Sequence, residues 1–543
     1  MLTWWMLPPR APLLPSSGTP PIRGAVHVHS RRSDGSGTVE EIAAAAARAG
    51  LRFVVFTDHG DGTRPPDPPA WHSGVLCIDA VEVSTFGGHV VALGIQAAPY
   101  PLGGEAADVV EDIHRLGGVA IAAHPTSPKA ALAWHDRDAP VDGIEWLNGD
   151  TEWRDESAMS LARVLLTYPW RGPESLALLL DPPAEALGRW NTLAARRQVF
   201  ALAVPDAHAR VGLPGESGDE RSRFLAVPSY EQMFRSLSIA LDAVVLTGDA
   251  PADAATVLAA VKSGRFYSTV DGLARGMTLE FRAIRGDETF APGDRLPPGD
   301  GPVMLRAAWT APAGAEAVLL RDGQVTQSAR VSPLTWTATE GHGVYRAEIR
   351  WPGTPEPRYL AVSNPIYLGS PVVPVTAPPA PTPPVPAGRA RGRAVPLADA
   401  RLEQSPDAVA ALDLDATAGS PRLTFRFGLG GTRADSPYAA TAFALGSSGF
   451  DGARAVRLAL RGDSAMRVSI QLRDAIGRRW RRSIYVGTQL SVLALPVSTF
   501  KAVDPGGAAE PSSITTVLIV ADTTNTALGA NGQLHVTELM LEP

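Results

Sequence analysis

The sequence predicts a multidomain α/β plus all-β protein. It reads as a β/α barrel over residues 21–275, a β-sandwich of immunoglobulin size over 276–370, a proline-rich linker at 371–396 and a jelly-roll β-sandwich over 397–543. Three observations carry this reading. Residues 24 to about 275 alternate short apolar runs with helical patterns, as repeated βα units do. From about Gly276 the helical pattern gives way to alternating strands separated by Gly/Asp turns. The two all-β stretches are joined by "SPVVPVTAPPAPTPPVPAGRARGRAVP", whose prolines favour an extended linker. At 543 residues the chain is also too long for one core.

The elements follow in order. The opening "MLTWWMLPPRAPLLPSSGTPP" has an apolar start cut short by prolines, with no Lys or Arg before it. That run falls short of the roughly 20 apolar residues that cross a bilayer, and it matches a secretory signal poorly. Residues 1–20 are therefore expected to be a disordered tail or the remnant of an export signal or anchor. "GAVHVHS" is a first strand, and "TVEEIAAAAARAG" a helix with a Thr38/Glu41 capping box and Gly50 at its C-terminal stop. "LRFVVFTDH", "GVLCIDAVEVS" and "GHVVALGI" are strands, and "EAADVVEDIHRLGG" is a helix closed by glycines. "VAIAAHP", "VDGIEWLN" and "QVFALAVPDAH" are further strands, then "DAATVLAAVKSG" is a helix before "RFYSTV". Alternating strands run from "MTLEFRAI" to "SNPIYLGS", and after the linker from "RLTFRFGLGG" to "LHVTELMLEP".

Composition narrows the function. A net charge of −7 offers no basic field for phosphates, which argues against an obligate nucleic-acid partner. The one cysteine, Cys77, excludes an intramolecular disulfide and a cysteine-held zinc cluster. It lies in a buried-strand pattern and reads as a small core residue.

The eleven histidines are placed unevenly. His27 and His29 end the first strand, where strict alternation puts both on one face. Asp34 follows in the next loop, and Asp58 and His59 end the second strand. Glu82 ends a strand and His89 opens the next; His124 ends another, and Asp206 and His208 end a late one. In a β/α barrel these strand ends and loops share one face. A single strand-end histidine is usually a hydrogen-bonded structural residue. So many imidazoles and carboxylates together require cations to balance them, and the pattern predicts metal binding. His72, His114, His135, His342 and His535 stand outside it and read as structural or exposed.

The ordered motifs "HVHSRRSDG", "TDHG", "EVS…GHVVALG", "AAHP" and "PDAH" resemble those of the PHP (polymerase and histidinol phosphatase) metallohydrolases, over about residues 20 to 275. The resemblance implies a distorted seven-stranded barrel with a centre of up to three divalent cations (Mn, Zn or Fe). It implies that His27, His29, Glu82 and Asp206 hold one cation. Glu82 would bridge to a second with His89 and His124, and Asp34, His59 and His208 would hold the third. Asp34 fills a position that is histidine in some relatives, and Asp58 would orient its neighbours. The sandwich after the barrel resembles the carbaryl-hydrolase-like branch, whose members are bacterial, often exported, and carry an immunoglobulin-like domain. The C-terminal block is similar to galactose-binding-like jelly rolls, which implies carbohydrate contact or a docking role.

Bridged cations acidify a bound water, and no "G-x-S-x-G" elbow is present. The expected activity is therefore hydrolysis of a phosphoester, or a related carboxyl or carbamate ester, by metal-bound hydroxide. The substrate would be a small molecule or short polymer. Two other readings stay open: an envelope carbohydrate-binding protein with a vestigial barrel, and a PHP exonuclease. The linker, the sugar-binding-like sandwich and the apolar "LTWWML" favour an extracytoplasmic place at the cell envelope, with the cytoplasm as the alternative and membrane attachment left open.

Overall fold

The computed structural model describes the chain except residues 1–6, 16–18, 213–223, 226, 300, 339–340, 354–355, 370–391, 417–420, 447–448, 451 and 504–506. Most of the expected linker, and the start of the expected tail, thus lie outside the described residues. The rest divides into two compact units. One takes residues 1–61, 65–96 and 113–376, the other residues 62–64, 97–112 and 377–543.

In the first unit, β1 (Ile22–Val28) pairs in parallel with β2 (Phe53–Phe56). Beyond β2 lie β4 (Val75–Asp79), also parallel, and the antiparallel β3 (Ala70–His72). β2 is buried along its whole length, as a strand covered on both faces must be. Alternation sends Phe53 and Val55 into one apolar core, and Val54 and Phe56 into another shared with helix α1 (Val39–Ala49). The α1 capping box forms as expected. Gly50 closes the helix at φ 85°, donating to the carbonyls of Ala46 and Ala47.

A second sheet runs in the order β5 (Val81–Thr85), β6 (Gly88–Leu93), β7 (Val119–Ala122), β8 (Gly143–Asn148) and β9 (Phe200–Val204). Its first pairings are antiparallel and its last two parallel. Isolated bridges link the two sheets at Val28 with Ala207 and at His59 with Glu82. These are the segments that carry the candidate ligands.

The sequence pattern breaks at about 275, but the sheet does not. Phe266–Thr269 pairs antiparallel with Arg358–Ser363, so strands of the 276–370 block extend the sheet that contains β1. An edge strand left unpaired there would expose its ladder groups, and the later block covers it. That block is a β-sandwich. Its four-stranded sheet (Glu288–Phe290, Thr278–Arg285, Val303–Thr310, Leu334–Ala338) shares a core of Leu279, Phe281, Leu305, Tyr345, Ile349 and Leu360 with the extended sheet. Residues 7–15, expected as part of a loose tail, are ordered. Ala11 is buried and donates its N–H to Glu174 Oε1 at 3.1 Å, and Leu13 bridges Arg275.

The second unit is also a β-sandwich, with two six-stranded sheets around a core that includes Phe425, Phe443, Val456, Ile470, Ile519 and Leu534. Residues 97–112, which include the start of helix α2 (Ala106–Arg115), belong to it, although the sequence pattern assigns them to the barrel. The reason is a buried ion pair. Arg467 is fully buried, and its Nε and Nη2 donate to Asp112 Oδ2 and Oδ1 at 2.8 and 2.7 Å. Nη2 also donates to Glu111 Oε2 at 3.2 Å. Tyr100 Oη donates to Asp112 Oδ1 at 2.9 Å, and Asn525 Nδ2 donates to the carbonyls of Pro101 and Gly103.

Candidate metal centre

Regular alternation along β1 would aim His27 and His29 the same way, but β1 is not regular there. Its register against β2 slips between Val26 and Val28, and His27 sits at φ 66°. A bulge re-aims a side chain at a sheet end. Both rings still reach one carboxylate: His27 Nε2 and His29 Nε2 lie 3.1 and 3.2 Å from Glu82 Oε2. His124 (φ 29°) and Asp206 (φ 47°) also occupy the left-handed region, a conformation costing on the order of 1–3 kcal/mol and typical of functional sites.

Glu82 is the hub. It is 1% exposed, and five imidazoles surround it. Its Oε1 faces His89 Nδ1 and His124 Nε2, each at 2.8 Å. Its Oε2 faces His27, His29 and, at 3.3 Å, His59 Nδ1. Asp206 Oδ1 lies 3.3, 3.4 and 3.7 Å from His27 Nε2, His29 Nε2 and His208 Nδ1. Asp34, at the mouth, places Oδ1 3.4 Å from His29 Nδ1 and Oδ2 3.3 and 3.6 Å from His208 and His59. All nine side chains singled out in the sequence are brought together. They form overlapping groups: His29, Asp34, His59 and His208; His27, His29 and Glu82; His27, His124 and Asp206; His59, Glu82 and His89. None of the other five histidines joins such a group among the described residues. His114 pairs with Asp142 and His535 with Asp463.

The electrostatics call for positive charge. Burial alone would lower the His27 pKa, yet Asp206, Glu145 and Glu82 hold it well above its usual range. Burial likewise opposes a charged His29, but Asp206 and Glu82 raise it to about 10. Burial would raise Glu82, but the surrounding histidines hold it well below the carboxylate range. Divalent cations meet the same demand. Two buried atoms point the same way: His29 Nε2 and Asp206 Oδ1 face each other at 3.4 Å without forming a hydrogen bond, and with the ring deprotonated they would suit sharing a cation. The donor set is imidazole and carboxylate throughout, which suits Mn, Zn or Fe.

Sequence reasoning missed Glu145, which stands between Ile144 and Trp146 in "VDGIEWLN". It is 1% exposed and lies 2.5 Å from His27 Nδ1. It also accepts the His124 N–H and the Asn148 amide, each at 2.7 Å. Asn148 donates in turn to Asp206 Oδ2 at 3.1 Å. Asp58 accepts from the Ser30 N–H and from the hydroxyls of Ser30 and Ser33, which fixes the loop leading to Asp34. Tyr230 Oη donates to the His29 carbonyl at 2.7 Å and accepts the Ser36 N–H. Gly35 is needed there because a Cβ would lie 2.2 Å from the His29 carbonyl oxygen. Cys77, by contrast, is buried, with its thiol pushed up to about 12, as fits a core residue.

A cavity of about 280 Å³ opens beside Asp206 and His208. Trp153, Leu176, Leu179 and Met233 give it an apolar lining, with Asp150 and Arg154 among its polar groups. Trp153 and Arg154 come from helix α3 (Gly149–Arg154), which Asn148 caps by accepting the Thr151 N–H. In the same helix Glu152 is 7% exposed; burial and then Asp155 push its carboxyl up to about 8. A carboxyl raised on folding binds its proton more tightly when folded, so its stabilising effect is full below about 4.5 and is lost as pH rises toward about 8. Glu152→Gln should therefore gain stability relative to the parent between those limits. Urea melts of both proteins at about pH 5 and about pH 9 check this, and a constant difference would refute it.

No protein-family model matches the chain, and no curated protein matches it. Among solved structures, the family 11 carbohydrate-binding module of cellulosomal cellulase Lic26A-Cel5E of Clostridium thermocellum is 14% identical, over 26% of this chain and 87% of that one, with a TM-score of 0.23. A family 29 carbohydrate-binding module is 11% identical over 28% of this chain and 89% of its own, at 0.18. An exo-β-agarase is 11% identical over 26% and 23%, at 0.20. Likeness this slight carries no argument about what the chain does.

Proposed function

We propose that the chain is a divalent-metal-dependent ester hydrolase of the PHP kind, acting on phosphoesters or related carboxyl or carbamate esters. The distorted barrel of that family is read here as β1, β2 and β5–β9, drawn into a ring by the Val28–Ala207 and His59–Glu82 bridges. The observation that carries the proposal is the gathering of five imidazoles on Glu82, with Asp206 and Asp34 alongside. His27, His29, Glu82 and Asp206 would hold one cation, Glu82, His89 and His124 a second, and Asp34, His59 and His208 a third. Cations so held would polarise an ester and acidify water at neutral pH.

The chain's own groups do the rest. Glu145 accepts from His27 Nδ1 and so presents the Nε2 lone pair toward Glu82, as an outer carboxylate does for a ligating histidine. Asn148 steadies Asp206, and Asp58 and Tyr230 pin the loop that brings Asp34 to the mouth. The largely apolar cavity beside the site suits the hydrocarbon or aromatic part of a substrate. Arg154, paired with Asp150 and lining the same cavity as Asp206 and His208, would be the cation available to an ester's anionic oxygen.

The test is elemental analysis of protein purified without chelator, followed by assays on phosphomonoester, phosphodiester and aryl-ester substrates with and without EDTA. Bound metal and EDTA-sensitive turnover are expected. Metal-free protein, or turnover that persists in EDTA, would refute the proposal.

A further inference from the structure

Helix α4 (Ala158–Leu176) has an unusual outer face. Val164, Thr167, Gly172, Ser175 and Leu176 are buried in its own unit. On the opposite side Met159, Leu165, Leu166 and Trp170 are 83, 51, 53 and 62% exposed. Met159, Ala162, Leu166 and Trp170 recur at i, i+3, i+7 and i+11, one stripe of a helix, with Leu165 and Pro169 beside it. The only charged residues between 158 and 173 are Arg163 and Arg171. Scattered exposed apolar residues are ordinary, but a contiguous stripe marks an interaction surface.

A second observation concerns the same helix. Through the Ala11 N–H to Glu174 Oε1, the chain that follows "MLTWWML" is fastened to the last turn of α4. The described chain is thus held at the end of a helix that exposes Trp170, and the sequence ahead of it is uncharged and contains two tryptophans. No helix among the described residues is long and apolar enough to cross a membrane. With one side buried in its own unit, α4 would lie flat on a surface.

We propose that this face of α4 docks on a lipid bilayer, with Met159, Leu165, Leu166 and Trp170 entering the headgroup boundary and the exposed Arg163 meeting the phosphates. Trp and Arg flanking an apolar stripe are the residues that sit at that level. A second copy fits less well, because a two-fold interface would set the arginines of one stripe against those of the other, with no acid in either. The proposal does not depend on the hydrolase reading.

Flotation of the full chain with phosphatidylcholine vesicles, alone or with phosphatidylglycerol, tests it. The protein should float with both, more strongly with the anionic lipid. Leu166→Asp combined with Trp170→Asp should cut the bound fraction at least about tenfold, with the melting temperature unchanged. As a check free of variants, vesicles should slow amide exchange across residues 158–173 of the parent protein. Absence of flotation overturns the proposal, as does flotation unchanged by the paired substitutions, including binding carried wholly by Trp4 and Trp5. A dimer dissolved by those substitutions without any flotation would instead identify a second copy as the occupant and equally overturn it.

Discussion

Glu82→Ala is expected to strip the centre of its metal and to cut ester hydrolysis at least about a hundredfold, the largest loss of any single ligand. The ground is geometric: both carboxylate oxygens are in use, one facing two imidazoles and the other three. No other candidate ligand stands in more than one of the proposed cation sites. Removing its charge also takes away one of the carboxylates that hold His27, His29 and His124 above their usual range, so these three should titrate lower. Glu82→Gln keeps the shape and removes only the charge, and should lose metal almost as completely. Elemental analysis of both variants beside the parent decides the matter. Full metal content in Glu82→Ala would mean that this carboxylate is a structural hub and nothing more.

The second large effect lies in the other unit. Arg467→Met should cost about 3–5 kcal/mol, because it leaves Asp112 buried with its partner removed. Asp108 is part of the same cluster; burial, opposed by Arg467, pushes its carboxyl up to about 6. Adding Asp112→Asn to Arg467→Met should recover much of the loss, since replacing both members of a buried pair is far milder than orphaning one. Urea melts followed by a probe in the C-terminal sandwich would measure this. A loss under about 1 kcal/mol in the single variant would show that water reaches the pair.

What was legible in the sequence follows from how local the signals are. His, Asp and Glu stand out when they end apolar strands, so the nine candidate ligands and their shared end could be read without coordinates. The bulge at His27 could not, because a register slip depends on the neighbouring strand. Glu145 sat inside an apolar run where a carboxylate signals as much as a histidine, but the pattern of strand-end histidines drew the reading elsewhere. Helix α4 escaped altogether. Pro169 and Pro173 interrupt its pattern, and its backbone is non-helical at Arg171. Its exposed apolar face also lacks the polar side that an amphipathic pattern requires. The pairing of Tyr267 with Ser363, and the capture of residues 97–112 by Arg467, were invisible because no local pattern records partners about a hundred or several hundred residues apart.

That last pairing has a consequence for biosynthesis. Asp112 and Arg467 are 355 positions apart, so at roughly 5–20 residues per second the acidic segment emerges from the ribosome on the order of 20–70 s before its cation. Throughout that interval Asp108, Glu111 and Asp112 must remain hydrated on a nascent chain whose neighbouring strands are already pairing. Their charge keeps the waiting segment soluble, where an apolar patch in the same place would invite aggregation. Completion of the C-terminal sandwich then withdraws it from water, so a chain that ends short of Arg467 should keep an acidic stretch around residue 110 exposed to proteases.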